Sequence, residues 1–361
     1  MMFLDYLVNN EVITMKKTKE IQIGNVKIGN GNKIAIQSMT TTKPSDVEKT
    51  VNQIKILESA GCDIVRVTVP TIDDAKFIDK IKDKISIPLV ADIHFDYKIA
   101  LECIERGIDK IRINPGNIGE RTRVKILAEK ANLHNIPIRI GVNSGSVDKE
   151  ILEKYGSPNE DAMVQSALKE VKILEQCDFT NIVLSLKASN VTTTVKAYKM
   201  ISDIVSYPLH IGVTEAGSEY SGLVKSSVGL GSLIIDGIGD TMRVSLTAEP
   251  EKEIYAAKEI LKACGKLDGG INIVSCPTCG RCNYNLIEIV KKVETLTKDI
   301  NKNLTVAVMG CVVNGPGEAK EADLGVAGGL NECILFKKGK LVRKIPFESL
   351  LEELMKEING A

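Results

Sequence analysis

The chain has 361 residues, about two domains at roughly 150 residues each, although a barrel commonly takes about 250 as one unit. Hydrophobic residues make up 43% and charged residues 26%, enough apolar material for a core, which excludes disorder as the main state. Lys plus Arg and Asp plus Glu are both 47, so the basic footprint of a nucleic-acid or anionic-membrane binder is missing and any polyanion has to be met by a local cluster.

The first residues, MMFLDYLVNNEVITMKKTKE, include Asp5 and Glu11 and offer neither a basic leader nor a small-residue cleavage site. No signal peptide is expected there, and residues 1–17 read as a flexible extension. No apolar run reaches the roughly 18 residues of a membrane span, so a cytoplasmic location is expected. In that reducing compartment the nine cysteines read as thiols or metal ligands rather than disulfides.

Eight β-rich runs follow, at 34–40, 64–70, 88–95, 110–116, 138–144, 181–189, 209–217 and 241–247. Helix-period stretches separate them. The first, SDVEKTVNQIKILESAG, predicts a helix opening on Ser45 as N-cap and closing on Gly61. Strand and helix alternating at intervals of about 30 residues predict an α/β fold, a (β/α)8 barrel over residues 1–265. An open dinucleotide-binding sheet is the weaker reading, because the first strand ends in SMTTTKP and not in a Gly-rich turn.

Alternate residues of a strand share a face. The apolar face in these runs must pack on helices, which turns Arg66, Arg112 and Asn114, Arg139 and Asn143, Lys187, and Arg243 and Ser245 toward the barrel interior, with Asp92 and His94 sharing a face in the third strand. Unpaired charges inside a packed barrel cost several kcal/mol. Only Asp92 and Glu215 stand in these strands as partners, so the excess of cations predicts a strongly anionic ligand such as a diphosphate at the C-terminal mouth. Glu215, in TEAG, is expected in a loop over that site as a proton donor or acceptor. The Gly-rich stretch SSVGLGSLIIDGIGD, 226–240, is a candidate phosphate cradle.

After Gly265 the alternation breaks, and residues 266–361 read as a small α+β domain: a strand INIVS, the turn CPTCGRC, a helix from about 284 to 300, a strand LTVAVMG, the turn CVVNGPGE, two further strands and a closing helix. Cys276, Cys279 and Cys311 follow two strand ends, as a metal or cluster site would require. Zinc and iron–sulfur both remain open at this point, as does the fourth ligand. Cys282 completes a ferredoxin-like CxxCxxC run but is expected to enter the next helix, and Glu318 stands in the Gly/Pro turn.

The motifs ADIHF, KIRINPGN, IRIGVNSGS, SLKAS, TEAG and GDTMRVS, then SCPTCGR and MGCVVNGPGEA, are together similar to the 4-hydroxy-3-methylbut-2-enyl diphosphate synthase family of the methylerythritol phosphate pathway, in its short bacterial form, over about residues 18–357. The resemblance implies reductive conversion of 2-C-methyl-D-erythritol 2,4-cyclodiphosphate to (E)-4-hydroxy-3-methylbut-2-enyl diphosphate. It also implies a [4Fe–4S] cluster on Cys276, Cys279, Cys311 and Glu318, which leaves Cys282 a bystander. It implies diphosphate contacts from Arg66, Arg112, Arg139, Asn143, Lys187, Arg243 and Ser245, protonation by Glu215, flavodoxin or ferredoxin as electron donor, and a head-to-tail homodimer whose active site is shared between chains. A pterin-type barrel enzyme and a zinc-stabilised binding protein are the rival readings.

Overall fold

The computed structural model describes residues 14–361 apart from 115–120, 268, 283, 299, 313–316, 318, 330 and 331. The chain divides into two compact units, Met1–Lys266 and Leu267–Ala361.

The first unit is a barrel. A hairpin, β1 (Ile21–Ile23) and β2 (Val26–Ile28), precedes eight parallel strands: β3 (Ala35–Met39), β4 (Ile64–Thr68), β5 (Leu89–Asp92), β6 (Lys110–Ile113), β7 (Ile138–Asn143), β8 (Ile182–Lys187), β9 (His210–Ile211) and β10 (Thr241–Met242). They hydrogen-bond in the order β8-β7-β6-β5-β4-β3-β10-β9, and a bridge between Leu184 and Leu209 joins the two ends. The alternation read from sequence is visible in burial: Val65, Val67 and Val69 are fully enclosed on the helix side of β4, and Ile111, Ile113, Ile138, Ile140 and Val142 do the same on β6 and β7.

Helix Val47–Ser59 buries Thr50, Val51, Ile54 and Leu57 at helical spacing, and Asp46, not Ser45, is its N-cap, accepting from the Lys49 N–H. The chain leaves that helix through Gly61, whose φ of +95° suits a residue with no Cβ. The two last barrel strands are shorter than their sequence runs. At Leu209 the backbone N–H goes to the Asp240 carboxylate, 2.7 Å away, and not to a neighbouring strand.

The hairpin β1–β2 has no counterpart in the sequence reading. Ile21, Ile23 and Ile28 pack on Ala35, Ile64, Val90 and Val183, residues at or next to the first positions of their strands. The hairpin therefore seals the end of the barrel where strands begin and leaves the other end for a site. Residues 14–17 are also held, which corrects their reading as a flexible extension: the Lys16 N–H donates to the Gly237 carbonyl at 2.7 Å and its ammonium reaches Ser202 and Asp203. Residues 1–13 lie outside the described residues.

The second unit is a five-stranded mixed sheet in the order β11 (Ile271–Ser275), β12 (Leu304–Met309), β13 (Leu324–Gly328), β14 (Cys333–Lys337) and β15 (Lys340–Ile345). The first three strands run parallel, and β14 and β15 form a hairpin whose second strand the sequence reading did not separate. Helices Leu286–Thr297 and Leu350–Gly360 cover it, burying Leu286, Val293, Leu350, Leu354 and Ile358 against Val306, Val308 and Val326. No helix among the described residues is long and apolar enough to cross a membrane.

Candidate active site

At the strand ends of the barrel, Arg66, Asp92, His94, Arg112, Arg139, Asn143, Lys187, Arg243 and Ser245 line one cavity of about 140 Å³, together with Ser185 and Thr214. Strand register explains the convergence. Asp92 pairs with Arg112 and Arg112 with Arg139 across three neighbouring strands, while Asn143 pairs with Lys187. In parallel strands such partners face the same way, so these side chains are stacked side by side on the inner wall. Glycine makes room for them: a Cβ on Gly141 would lie 2.6 Å from Arg112 Nε.

Two carboxylates balance part of the charge. Asp92 Oδ1 accepts from Arg112 Nη1 at 3.1 Å, and its other oxygen lies 3.7 Å from Arg66 Nε and 4.0 Å from His94 Nε2. Burial presses Asp92 toward protonation, but Arg66, Arg112, Arg139 and His94 outweigh it and hold the carboxyl below its ordinary range. The second carboxylate corrects the sequence reading, which looked for partners only in the strands. Glu253, on helix Pro250–Ala263, accepts from Arg243 Nε and Nη2, both at 3.2 Å, and from Ser38 Oγ and the Leu246 N–H.

Five cationic side chains against these two carboxylates leave a surplus, and its cost is visible. Arg139 is 1% exposed, and its Nε and Nη1 have no hydrogen-bond partner. Burial first, and then Arg66 and Arg112, push its guanidinium well below its ordinary pKa. Lys187 is lowered in the same way by burial, Arg139 and Arg243, and Arg66 is brought down to about 10, mainly by burial. Guanidinium groups keep their proton in proteins, so an anion placed here would relieve this pressure.

Ser185 and Thr214 join the lining without having stood out as ligand contacts. Parity was the available signal, because Ser185 shares a face with Lys187 and Thr214 follows the inward His210 by an even number of residues. Lys110 and Gln37 are buried in the same interior, with Nζ 3.4 Å from Oε1. Asn114 is buried with its Oδ1 unpartnered, but it is not among the lining residues. Glu215 is exposed in the loop beyond β9, beside Thr214, at a left-handed φ of +51°. The Gly-rich stretch is no phosphate cradle: residues 226–235 are the second half of helix Glu219–Ile235, and Gly229 serves close packing, since a Cβ there would sit 2.9 Å from Val213.

In the second unit, Cys276 follows the last residue of β11 and Cys311 comes two residues after β12, its parallel neighbour. The Gly310 N–H donates to Cys276 Sγ at 3.2 Å, so the two turns touch. Cys279 is exposed. Cys282 remains in the turn, because helix Leu286–Thr297 starts later on the N-cap Asn285. Its thiol points to the Tyr284 carbonyl, 3.2 Å away, and packs where a Cβ on Gly310 would meet it at 2.9 Å. Among the described residues no three His, Cys, Asp or Glu side chains already converge on a metal position, and Glu318 lies outside the described residues. Thiols on two touching turns, one of them receiving a backbone N–H, are the donors an iron–sulfur cluster takes.

Two family profiles match the chain, one described as "GcpE TIM-barrel domain" over residues 18–258 and one as "GcpE protein C-terminal domain" over residues 272–360. A protein of Ruminiclostridium cellulolyticum is 55% identical over 97% of this chain and 99% of its own length, and one of Caldicellulosiruptor saccharolyticus is 58% identical over 94% and 98%. Both are named 4-hydroxy-3-methylbut-2-en-1-yl diphosphate synthase (flavodoxin). Among solved structures, dihydropteroate synthase of Stenotrophomonas maltophilia aligns with a TM-score of 0.51 over 68% of this chain and 97% of its own, at 10% identity. That likeness shows the barrel alone, and neither a pterin-type enzyme nor a zinc-held scaffold gains support from the relatives. Profiles over both units and relatives aligned along almost the whole length make the chain a member of the GcpE family.

Proposed function

We propose that this chain converts 2-C-methyl-D-erythritol 2,4-cyclodiphosphate into (E)-4-hydroxy-3-methylbut-2-enyl diphosphate by reductive ring opening and dehydration, the synthase activity for which its relatives are named. The observation that carries this reading is the surplus of buried cations at the barrel cavity, which calls for a ligand bearing several negative charges.

In this reading Arg66, Arg112, Arg139, Lys187 and Arg243 grip the diphosphate, the guanidinium forks two oxygens at a time and Lys187 as a point charge. Asn143 and Ser245 add neutral hydrogen bonds that orient the ring, with His94 toward its periphery. Arg112 and Arg243 enter the site already fixed by Asp92 and Glu253, so little freedom is lost when substrate arrives. Loss of a hydroxyl as water needs a proton, and Glu215 is assigned to deliver it from the loop next to Thr214. A non-glycine residue held at positive φ is the kind of strain retained at functional loops.

Cys276, Cys279 and Cys311, with Glu318 as the fourth donor, would hold a [4Fe–4S] cluster, which when bound supplies the two electrons of the reaction. Flavodoxin is the donor we assign, with ferredoxin as the alternative. The reading also includes a head-to-tail homodimer, the cysteine unit of one copy serving the cavity of the other, and a cytoplasmic location that keeps the thiols reduced. The test is anaerobic purification followed by assay with the cyclic diphosphate and reduced flavodoxin. A brown protein that turns over supports the proposal. A colourless protein with stoichiometric zinc and no turnover overturns it.

A further inference from the structure

Arg243 and Lys187 line the cavity on either side of β9 and are anchored differently. Arg243 is held by a carboxylate, Glu253. Lys187, 9% exposed, has its Nζ 3.2 Å from Nε2 of His210, which is fully buried on β9, and the other ring nitrogen, Nδ1, lies 2.7 Å from Oγ1 of the equally buried Thr241 on β10. To get there Lys187 crosses Gly212, where any Cβ would overlap its Nζ and Cε and would also meet the Arg243 carbonyl at 2.7 Å. The His210 carbonyl is pinned as well, accepting from Tyr198 OH at 2.6 Å.

We propose that His210 is a positioning residue for the diphosphate site: its Nε2 lone pair accepts a hydrogen bond from Lys187 Nζ and fixes the ammonium at the cavity wall without cancelling its charge. An ammonium has donors only, so Nε2 must be the acceptor, the ring proton sits on Nδ1 and Thr241 Oγ1 accepts it. The ring stays neutral because burial opposes its charging and because Arg139, Lys187, Lys110 and Arg66 all face it. Lys187 in turn faces Arg139 on β7, Arg66 on β4, Arg243 beyond β10 and Glu253 on its helix. A carboxylate in place of His210 would hold the lysine as firmly but remove one unit of the surplus that the anion needs. Gly212 and Thr241 complete the device, one by leaving the lane open and the other by setting the tautomer.

This inference rests on the reading of the cavity as a diphosphate site, and inorganic pyrophosphate titrated calorimetrically into the cluster-loaded enzyme separates the two. Relative to the native chain, His210→Leu is expected to weaken pyrophosphate binding roughly tenfold, and His210→Gln, whose amide oxygen can occupy the place of Nε2, to recover to within about threefold. KM for the cyclic diphosphate should rise more than kcat falls. Binding by His210→Leu should also fade at a lower pH than binding by the native chain, because Lys187 loses its proton more readily without an acceptor. Should His210→Leu fail to fold, His210→Phe, which keeps a ring and has no acceptor, is read in its place, with the same loss of affinity expected. Native affinity and an unshifted pH profile in a folded His210→Leu, or in His210→Phe, overturn the role of His210. Failure of the native chain to bind pyrophosphate overturns the site reading itself, and this one with it.

Discussion

The two units handle chemistry in opposite ways. The barrel carries its charged residues on strands, where register fixes Asp92, Arg112 and Arg139 in one row and where the surrounding apolar shell makes each uncompensated charge expensive. The cysteine unit carries its thiols on turns at the ends of β11 and β12, where Cys279 is exposed and Cys276 and Cys311 are only half-buried, so an absent ligand costs less there. In the proposed reading the barrel is therefore organised for its anion in advance, at the expense of its own stability. The cysteine unit leaves organisation to whatever binds the thiols.

The sharpest way to break this contrast is Cys276→Ser. Turnover should fall below detection while calorimetric binding of pyrophosphate by the barrel stays at the native value, and a parallel loss of binding would mean that the two functions are not separable. Next come the arginines. A charged hydrogen bond is worth about 1.5–3 kcal/mol, so Arg112→Ala or Arg139→Ala should lower kcat/KM roughly 10- to 100-fold, with KM raised. Arg139→Met sharpens the point: with its unpartnered nitrogens gone, the ligand-free protein should gain about 1 kcal/mol in denaturant titration while losing affinity. A destabilised, tight-binding Arg139→Met would contradict the assignment of that charge to ligand.

Removing a partner rather than a surplus charge should act the other way. Glu253→Gln strands Arg243 and should cost about 3 kcal/mol of stability, read by the same titration. The smallest effect concerns acid. Asp92 has a depressed native pKa, so its contribution is complete above the unfolded carboxylate value of about 4 and is lost as pH falls through the lower native value. Asp92→Asn should flatten that acid limb of the stability profile. An unchanged limb would place the acid sensitivity elsewhere.

The same contrast governs what was legible in the sequence. Period-two alternation located the cavity residues because a strand converts sequence parity directly into a face. It missed Glu253, which reaches the site from a helix, and it passed over His210, whose proposed role depends on Thr241 and Gly212 in neighbouring positions that no local pattern connects. The hairpin β1–β2 escaped because six strand residues around a turn are too short to show a period. In the cysteine unit, spacing singled out the thiols as candidates, but turn geometry decided that Cys282 packs against Gly310 instead of starting a helix. The Gly-rich stretch misled for a related reason. Composition alone does not separate a loop that cradles an anion from a helix that packs closely on Val213.

One measurement bears on the central claim most directly: a crystal structure of the chain with the cyclic diphosphate bound. Phosphate oxygens within hydrogen-bond distance of Arg139 Nε or Nη1 and of Lys187 Nζ, with Arg243 still paired to Glu253, is the predicted result. A diphosphate seated away from the cavity, with the Arg139 nitrogens still lacking partners, would contradict it.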